Sequence, residues 1–309
     1  KPTPCPSRDQ KIYLSSEIFA KLLLSGAEGI SISEANEDGS YPQVSSLIGS
    51  GSEAADIRAI LSTRLFKLGD NADQHRPVHK IVAEYCAADY LIKRINKSSD
   101  PLTVEQLLPI IAPNSTVRIE LRGLIGWMAT LGSKSIAEAV INLDPYAVIA
   151  NGDSSQLDKS SKALLLTRLK ELETADPYFR RSDSWRRFSV VGLLTEDVKD
   201  EVRSIICGGD NGHLRHLLLE LMIGTTATGW LDTELRQLLL SSTEGKETRQ
   251  LASQCLLKLD SYDFRSDLSD LITEASNSSL NIAANIIKSI GTEAFTPHEL
   301  EAFFRGCAG

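Results

Sequence analysis

From Asp100 to the C-terminus, capping-type residues recur ahead of apolar-periodic segments of roughly 10–18 residues. They are Thr103, Thr116, Ser133, Asp158, Asp183, Thr195, Asn211, Asp232, Thr243, Ser261, Asn277 and Thr296. Strand alternation is almost absent there. Helices joined by short polar connections pack as antiparallel neighbours, so this stretch predicts an all-α array. A second regularity narrows the choice. Arg215 and Arg249 stand 34 residues apart in similar contexts, His213-Leu214-Arg215-His216-Leu217 and Glu247-Thr248-Arg249-Gln250-Leu251. Leu280-Asn281-Ile282-Ala283-Ala284 follows without the arginine. A helix pair cannot bury its apolar face alone, so a period of this size predicts stacked pairs. The expectation is a right-handed α-solenoid over 99–309; a compact irregular bundle is the alternative.

Residues 1–98 read differently. Ser15-Ser16-Glu17 leads a helix with Ile18, Phe19, Leu22 and Leu23 on one face and Gly26 as its stop. Residues 27–51 are Gly/Ser-rich loop with a hint of strand at Ile30 and Ile32. Ser52-Glu53 opens another helix. Leu65–Leu68 and His75–Val78 flank Gly69-Asp70-Asn71-Ala72-Asp73, which predicts a β-hairpin. Lys80 to about Asn96 is amphipathic helix.

Composition removes several functions. The chain has 309 residues, a net charge of −8 and 6% aromatics, so a nucleic-acid partner is not expected. No apolar run approaches the roughly 20 residues of a membrane span. Five scattered cysteines, with no CxxC spacing, suit reduced thiols; Cys86, Cys207 and Cys255 sit in apolar runs. A cytoplasmic protein without a membrane partner is expected. The Pro-rich start without Met suggests an excised or processed chain.

His79-Lys80-Ile81-Val82-Ala83-Glu84-Tyr85-Cys86-Ala87-Ala88-Asp89-Tyr90-Leu91 resembles the pattern His-x-Ser/Thr-apolar-x-Glu-aromatic-Leu-Ala-Ala-x-aromatic-Leu. That pattern belongs to the winged-helix part of NACHT-type signal-transducing ATPases, the STAND class. Leu61–Phe66 and Glu17–Gly26 look like other parts of the same module. Leu121–Ala129 and Leu143–Val148 are similar to the helical region that follows it in large bacterial members. The helical array itself resembles degenerate HEAT repeats. Ile81, Ala83 and Cys86 depart from the pattern, and no Gly-x-x-x-x-Gly-Lys-Ser/Thr occurs; Gly132-Ser133-Lys134-Ser135 is too short.

The resemblance implies a division into a winged-helix-like segment, 1–98, and a HEAT-like domain, 99–309. It implies a sensor or regulatory role, commonly in defence against phage, with a protein trigger and an upstream nucleotide-binding module as partners. The chain would carry no cofactor and no enzyme activity itself; ATP or ADP would bind the intact parent. In the family the histidine at the position of His79 touches the β-phosphate of ADP, which an imidazole N–H can do. His75 is the competing histidine. The alternatives are an adaptor without a nucleotide link and an enzyme with a site assembled from scattered residues.

Two other clusters stand out. Arg180, Arg181, Arg186 and Arg187 surround Tyr178, Phe179 and Trp185. They form a basic-aromatic set suited to a partner contact, or to an inter-helix corner where arginines snorkel. His213, His216 and Glu220 share a helix face, but lack a recognisable metal pattern and read as solvent-facing.

Overall fold

The computed structural model describes residues 6–33, 39–48, 54–179, 191–208 and 212–308. The expected helix starts at Ser52, Asp183 and Asn211 lie outside them. The chain is mostly helical, with one small sheet, and divides into two compact units, Lys1–Arg168 and Leu169–Gly309. No helix among the described residues is long and apolar enough to cross a membrane.

The first unit opens with α1 (Arg8–Ser25). Its N-terminus is closed by a reciprocal capping box between Ser7 and Gln10, and its C-terminus by Gly26 at φ 76°. There follow β1 (Ile30–Ser31), α2 (Val44–Leu47), α3 (Ala54–Leu61), β2 (Phe66–Leu68), β3 (Gln74–Pro77) and α4 (Lys80–Ile95). The sheet is antiparallel in the order β1-β3-β2, with Ile30 opposite His75 and Lys67 opposite Arg76. The hairpin forms where the Gly/Asp/Asn turn predicts it, and its central strand also recruits β1.

α1 packs along α4. Ile18, Phe19, Ala20 and Leu22 are buried, against Ala83, Ala87, Ala88 and Leu91 of α4. Phe19 stacks on Phe66 with ring centroids 4.8 Å apart, which fastens the sheet to the helices. Burying one such ring contributes about 1.5–3 kcal/mol.

α5 (Val104–Ile111), α6 (Arg122–Leu131), α7 (Lys134–Leu143) and α8 (Pro145–Asn151) belong to this unit, and the boundary between the units falls within α9 (Lys159–Ala175). α6 packs on α4, α7 and α8. Its glycines explain how: Gly123 faces the buried Glu84 carboxylate of α4, and Gly126 lies against the backbone of Asn151 and Gly152. Helices on both sides of residue 98 therefore share one core, and the compact units part after residue 168 instead. Between α5 and α6 the chain forms short 3-10 turns, with Asn114 and Ser115 at positive φ, so the helix expected from Thr116 starts at Arg122.

The second unit contains α10 (Lys199–Cys207), α11 (His213–Met222), α12 (Asp232–Leu240), α13 (Lys246–Leu256), α14 (Phe264–Glu274), α15 (Asn277–Ile290) and α16 (Pro297–Ala308). α10 pairs with α11, α12 with α13, and α14 with α15. Between pairs, α11, α13 and α15 pack in one row, and α12, α14 and α16 in another. The core is leucine and isoleucine, including Leu217, Leu218, Leu239, Leu256, Leu271 and Ile286.

Candidate functional site

His79 is the N-cap residue of α4, at φ −130° and ψ 122°. Its carbonyl accepts the Ala83 N–H, while its side chain makes no capping bond and is exposed. The hairpin sets this position. Val78 N–H donates to the Leu65 carbonyl at 3.0 Å, so Arg64 and His79 leave β2 and β3 side by side. Arg64, across from it, and Lys80, next to it in the chain, are exposed. An exposed imidazole beside cations suits contact with an anion. His75, by contrast, is half-buried in β3, with its Nδ1 buried and unpaired.

Glu84 and Tyr85 bind α4 to α6. Glu84 is 5% exposed and packs on Gly123, with Lys80 at 3.6 Å. Tyr85 meets Trp127 edge to face at 5.2 Å. Gly132 and Ser133 form the short turn between α6 and α7.

The repeat arginines occupy equivalent places in the second unit. Arg215, 2% exposed, donates from Nε to the Ile206 carbonyl at 2.7 Å, and from both terminal nitrogens to Glu244 at 2.9 and 2.8 Å. Arg249, 1% exposed, donates from Nε to the Leu239 carbonyl at 2.8 Å, and to both oxygens of Glu274 at 3.0 and 2.5 Å. Each guanidinium thus satisfies a carbonyl in the last turn of its partner helix and grips an acid further along the chain. A bidentate fork does this where an ammonium would not.

A second ladder joins the other row. Arg203 pairs with Glu234 at 2.8 Å, Arg236 with Asp267 at 2.6 Å, and Arg265 with Glu299 at 3.5 Å. Asp267 is fully buried and also accepts the Tyr262 hydroxyl at 2.8 Å. These acids were not singled out in the sequence. The signal was present, since Arg203 and Arg236, like Glu234 and Asp267, are 33 residues apart.

The remaining candidates separate. Arg180, Arg181, Trp185, Arg186 and Arg187 lie outside the described residues. Of their neighbours, Tyr178 is exposed, 5.9 Å from the His213 ring, and Phe179 is buried. His216 is not solvent-facing: its Nε2 lies 2.9 Å from Thr248 Oγ1 and its Nδ1 3.6 Å from Glu247, so it links α11 to α13. No group of three metal-ligating side chains occurs among the described residues. Cys255 is buried, which pushes its thiol up to about 12, whereas Cys207 is exposed at the end of α10.

The acid side of the stability profile follows from these pairs. The hydrogen bonds from Arg249 hold Glu274 below the usual carboxylate range, and those from Arg94 hold Asp100 at about 2. A depressed carboxyl stabilises the fold above its unfolded pKa, about 4.3 for Glu and 3.9 for Asp. That contribution disappears as pH falls through the folded value. Urea midpoints should therefore drop below about pH 4.3, and Glu274→Gln should flatten that drop for the second unit.

No protein-family model matches this chain, and no curated protein matches it.

Proposed function

We propose that this chain is a regulatory, sensor-type portion of a STAND-class ATPase, coupling nucleotide state in an upstream module to recognition of a protein trigger. The supporting observation is the element order of the first unit. The run α1-β1-α2-α3-β2-β3, with sheet order β1-β3-β2, is the order that a winged-helix reading calls for and supports that reading. The next helix begins at an exposed His79 whose side chain its own helix does not use.

On this reading His79 donates an imidazole N–H to a phosphate of ADP held by the upstream module, and so favours the resting state. The second unit is read as a HEAT-like α-solenoid. Its stacked pairs, in which Arg203 and Arg236 stand 33 residues apart and Arg215 and Arg249 stand 34 apart, support that reading and offer a broad face to a protein partner. A trigger that binds the open form better than the resting form would shift the balance between them. The chain works in the cytoplasm, and detection of phage is the role the family resemblance suggests.

The test uses the intact parent, this chain joined to its natural upstream sequence. That sequence should contain a strand, a glycine-rich phosphate loop and a helix, and the purified protein should retain ADP. His79→Ala should release ADP about tenfold faster, the worth of one charge-assisted hydrogen bond. A parent that lacks the loop, or that retains ADP equally with and without His79, overturns the proposal.

The stacked pairs also favour a second reading, an adaptor with no nucleotide link. Trigger binding by the intact parent that is the same with ADP, with ATP and with neither would select it.

A further inference from the structure

In the antiparallel register of β2 and β3, Lys67 stands directly opposite Arg76. Cβ atoms of such partners lie about 4.5–5.5 Å apart, and like charges there are destabilising. Side chains alternate along a strand, so both cations project from the face opposite buried Phe66, which stacks on Phe19 of α1. Lys67 is exposed and Arg76 is half-buried.

The chain treats its later arginines differently. Every described arginine from Arg94 onward pairs with an acid or donates to an amide or a backbone carbonyl. Among the described residues Lys67 and Arg76 form no ion pair and no side-chain hydrogen bond. The net charge is −8, so acids are plentiful in the chain. Asp70 and Asp73 of the adjoining turn pair with neither cation, and Asp73 instead accepts the Ser31 hydroxyl at 3.0 Å. Arg76 Nε is buried without a partner. That burial limits how far the guanidinium can swing away from Lys67, and leaves its two terminal nitrogens to meet a ligand.

Two cations held side by side select a doubly charged anion, since a single carboxylate would leave the pair half compensated. A phosphate monoester carries about −1.5 to −2 charges at neutral pH and three strong acceptor oxygens. The planar guanidinium grips two of these, and the ammonium, a point charge on a flexible stem, reaches the third. Each phosphate of a nucleic-acid backbone carries a single charge and matches the pair less well. We infer that this face of the hairpin binds a dianionic phosphoryl group through Lys67 and Arg76, supplied by a free phosphate or by a phosphorylated side chain of another protein. The inference is independent of the nucleotide reading, which rests on His79.

The test is titration of the full chain with inorganic phosphate at constant pH and ionic strength, followed by amide NMR shifts. Saturable shifts confined to β2, β3 and their turn are expected. Lys67→Gln and Arg76→Gln should each weaken binding about tenfold, and acetate should bind about tenfold more weakly than phosphate. Lys67→Gln, at an exposed position, keeps the test valid should Arg76→Gln disturb the sheet. Lys67→Glu should abolish binding. Shifts that never saturate, that spread over other lysines, or that persist unchanged in these variants overturn the proposal, as does equal binding of acetate. Tighter binding of a short DNA duplex than of phosphate also overturns it. A glycyl-phosphoseryl-glycine amide arm separates the sources. Tighter binding than inorganic phosphate assigns a phosphorylated protein, and equal or weaker binding assigns a free phosphate.

Discussion

Replacing Arg249 by methionine should destabilise the second unit by about 3–4 kcal/mol. The volume of the side chain is nearly kept, so little of this loss is cavity. What disappears is a set of three contacts at a residue 1% exposed. The Leu239 carbonyl loses the donor that satisfied it at the end of α12, and Glu274 loses both halves of a bidentate partner. The carboxylate keeps its Ser276 hydroxyl and is 22% exposed, so water reaches it and the cost stays near the low end of the range for a broken buried pair. The double variant Arg249→Met with Glu274→Gln removes the stranded charge as well, and should recover about half of the loss. Urea unfolding of the second unit measures both. A single variant within about 1 kcal/mol of the parent would show that the rung does not hold the helix pairs together.

The second large effect runs against helix propensity. Gly126 sits inside α6, where alanine is usually favoured by about 0.5–1 kcal/mol. Here Gly126→Ala should instead cost about 2–3 kcal/mol. A Cβ at this position would lie 2.5 Å from the Gly152 nitrogen and 2.7 Å from the Asn151 carbonyl carbon. Both are backbone atoms, so relief requires α6 and α8 to move apart. The first unit would then lose packing around Ile125 and Met128, which are fully buried. Thermal melting of the first unit measures the change. Gly39→Ala, with no atom of another described residue within 4 Å of its Cβ position, is the control and should fall within about 0.5 kcal/mol of the parent. A Gly126→Ala protein as stable as this control would mean that the two helices approach less closely than described.

Several helix boundaries were legible because they rest on contacts across a few residues. Thr103 and Thr296 cap α5 and α16, each bonding a backbone N–H three residues on, and Asp158 does the same before α9. Where local signals compete, the reading shifts. The start expected at Ser261 falls at Asp263, whose carboxylate bonds the Arg265 N–H. The one at Thr116 yields to the 3-10 turns before α6.

The 34-residue spacing of Arg215 and Arg249 marked two residues that occupy equivalent places, but their acids stand 29 and 25 residues further on, at unequal offsets that no period reveals. His79 could be placed before α4 from the sequence, whereas its exposure is set by the sheet.

Periodicity and capping determined that this chain is helical, where most helices begin, and where the hairpin turns. Those interactions act over about four residues, and side chains in any solvent-exposed context satisfy them in the same way. Which helices meet was decided only in three dimensions. The missing Cβ atoms of Gly126 and Gly152 permit one crossing, and the planar guanidinium groups of Arg215 and Arg249 require carbonyl and carboxylate at once. Both effects join groups far apart in the chain, so their energies exist only after the backbone has brought them together.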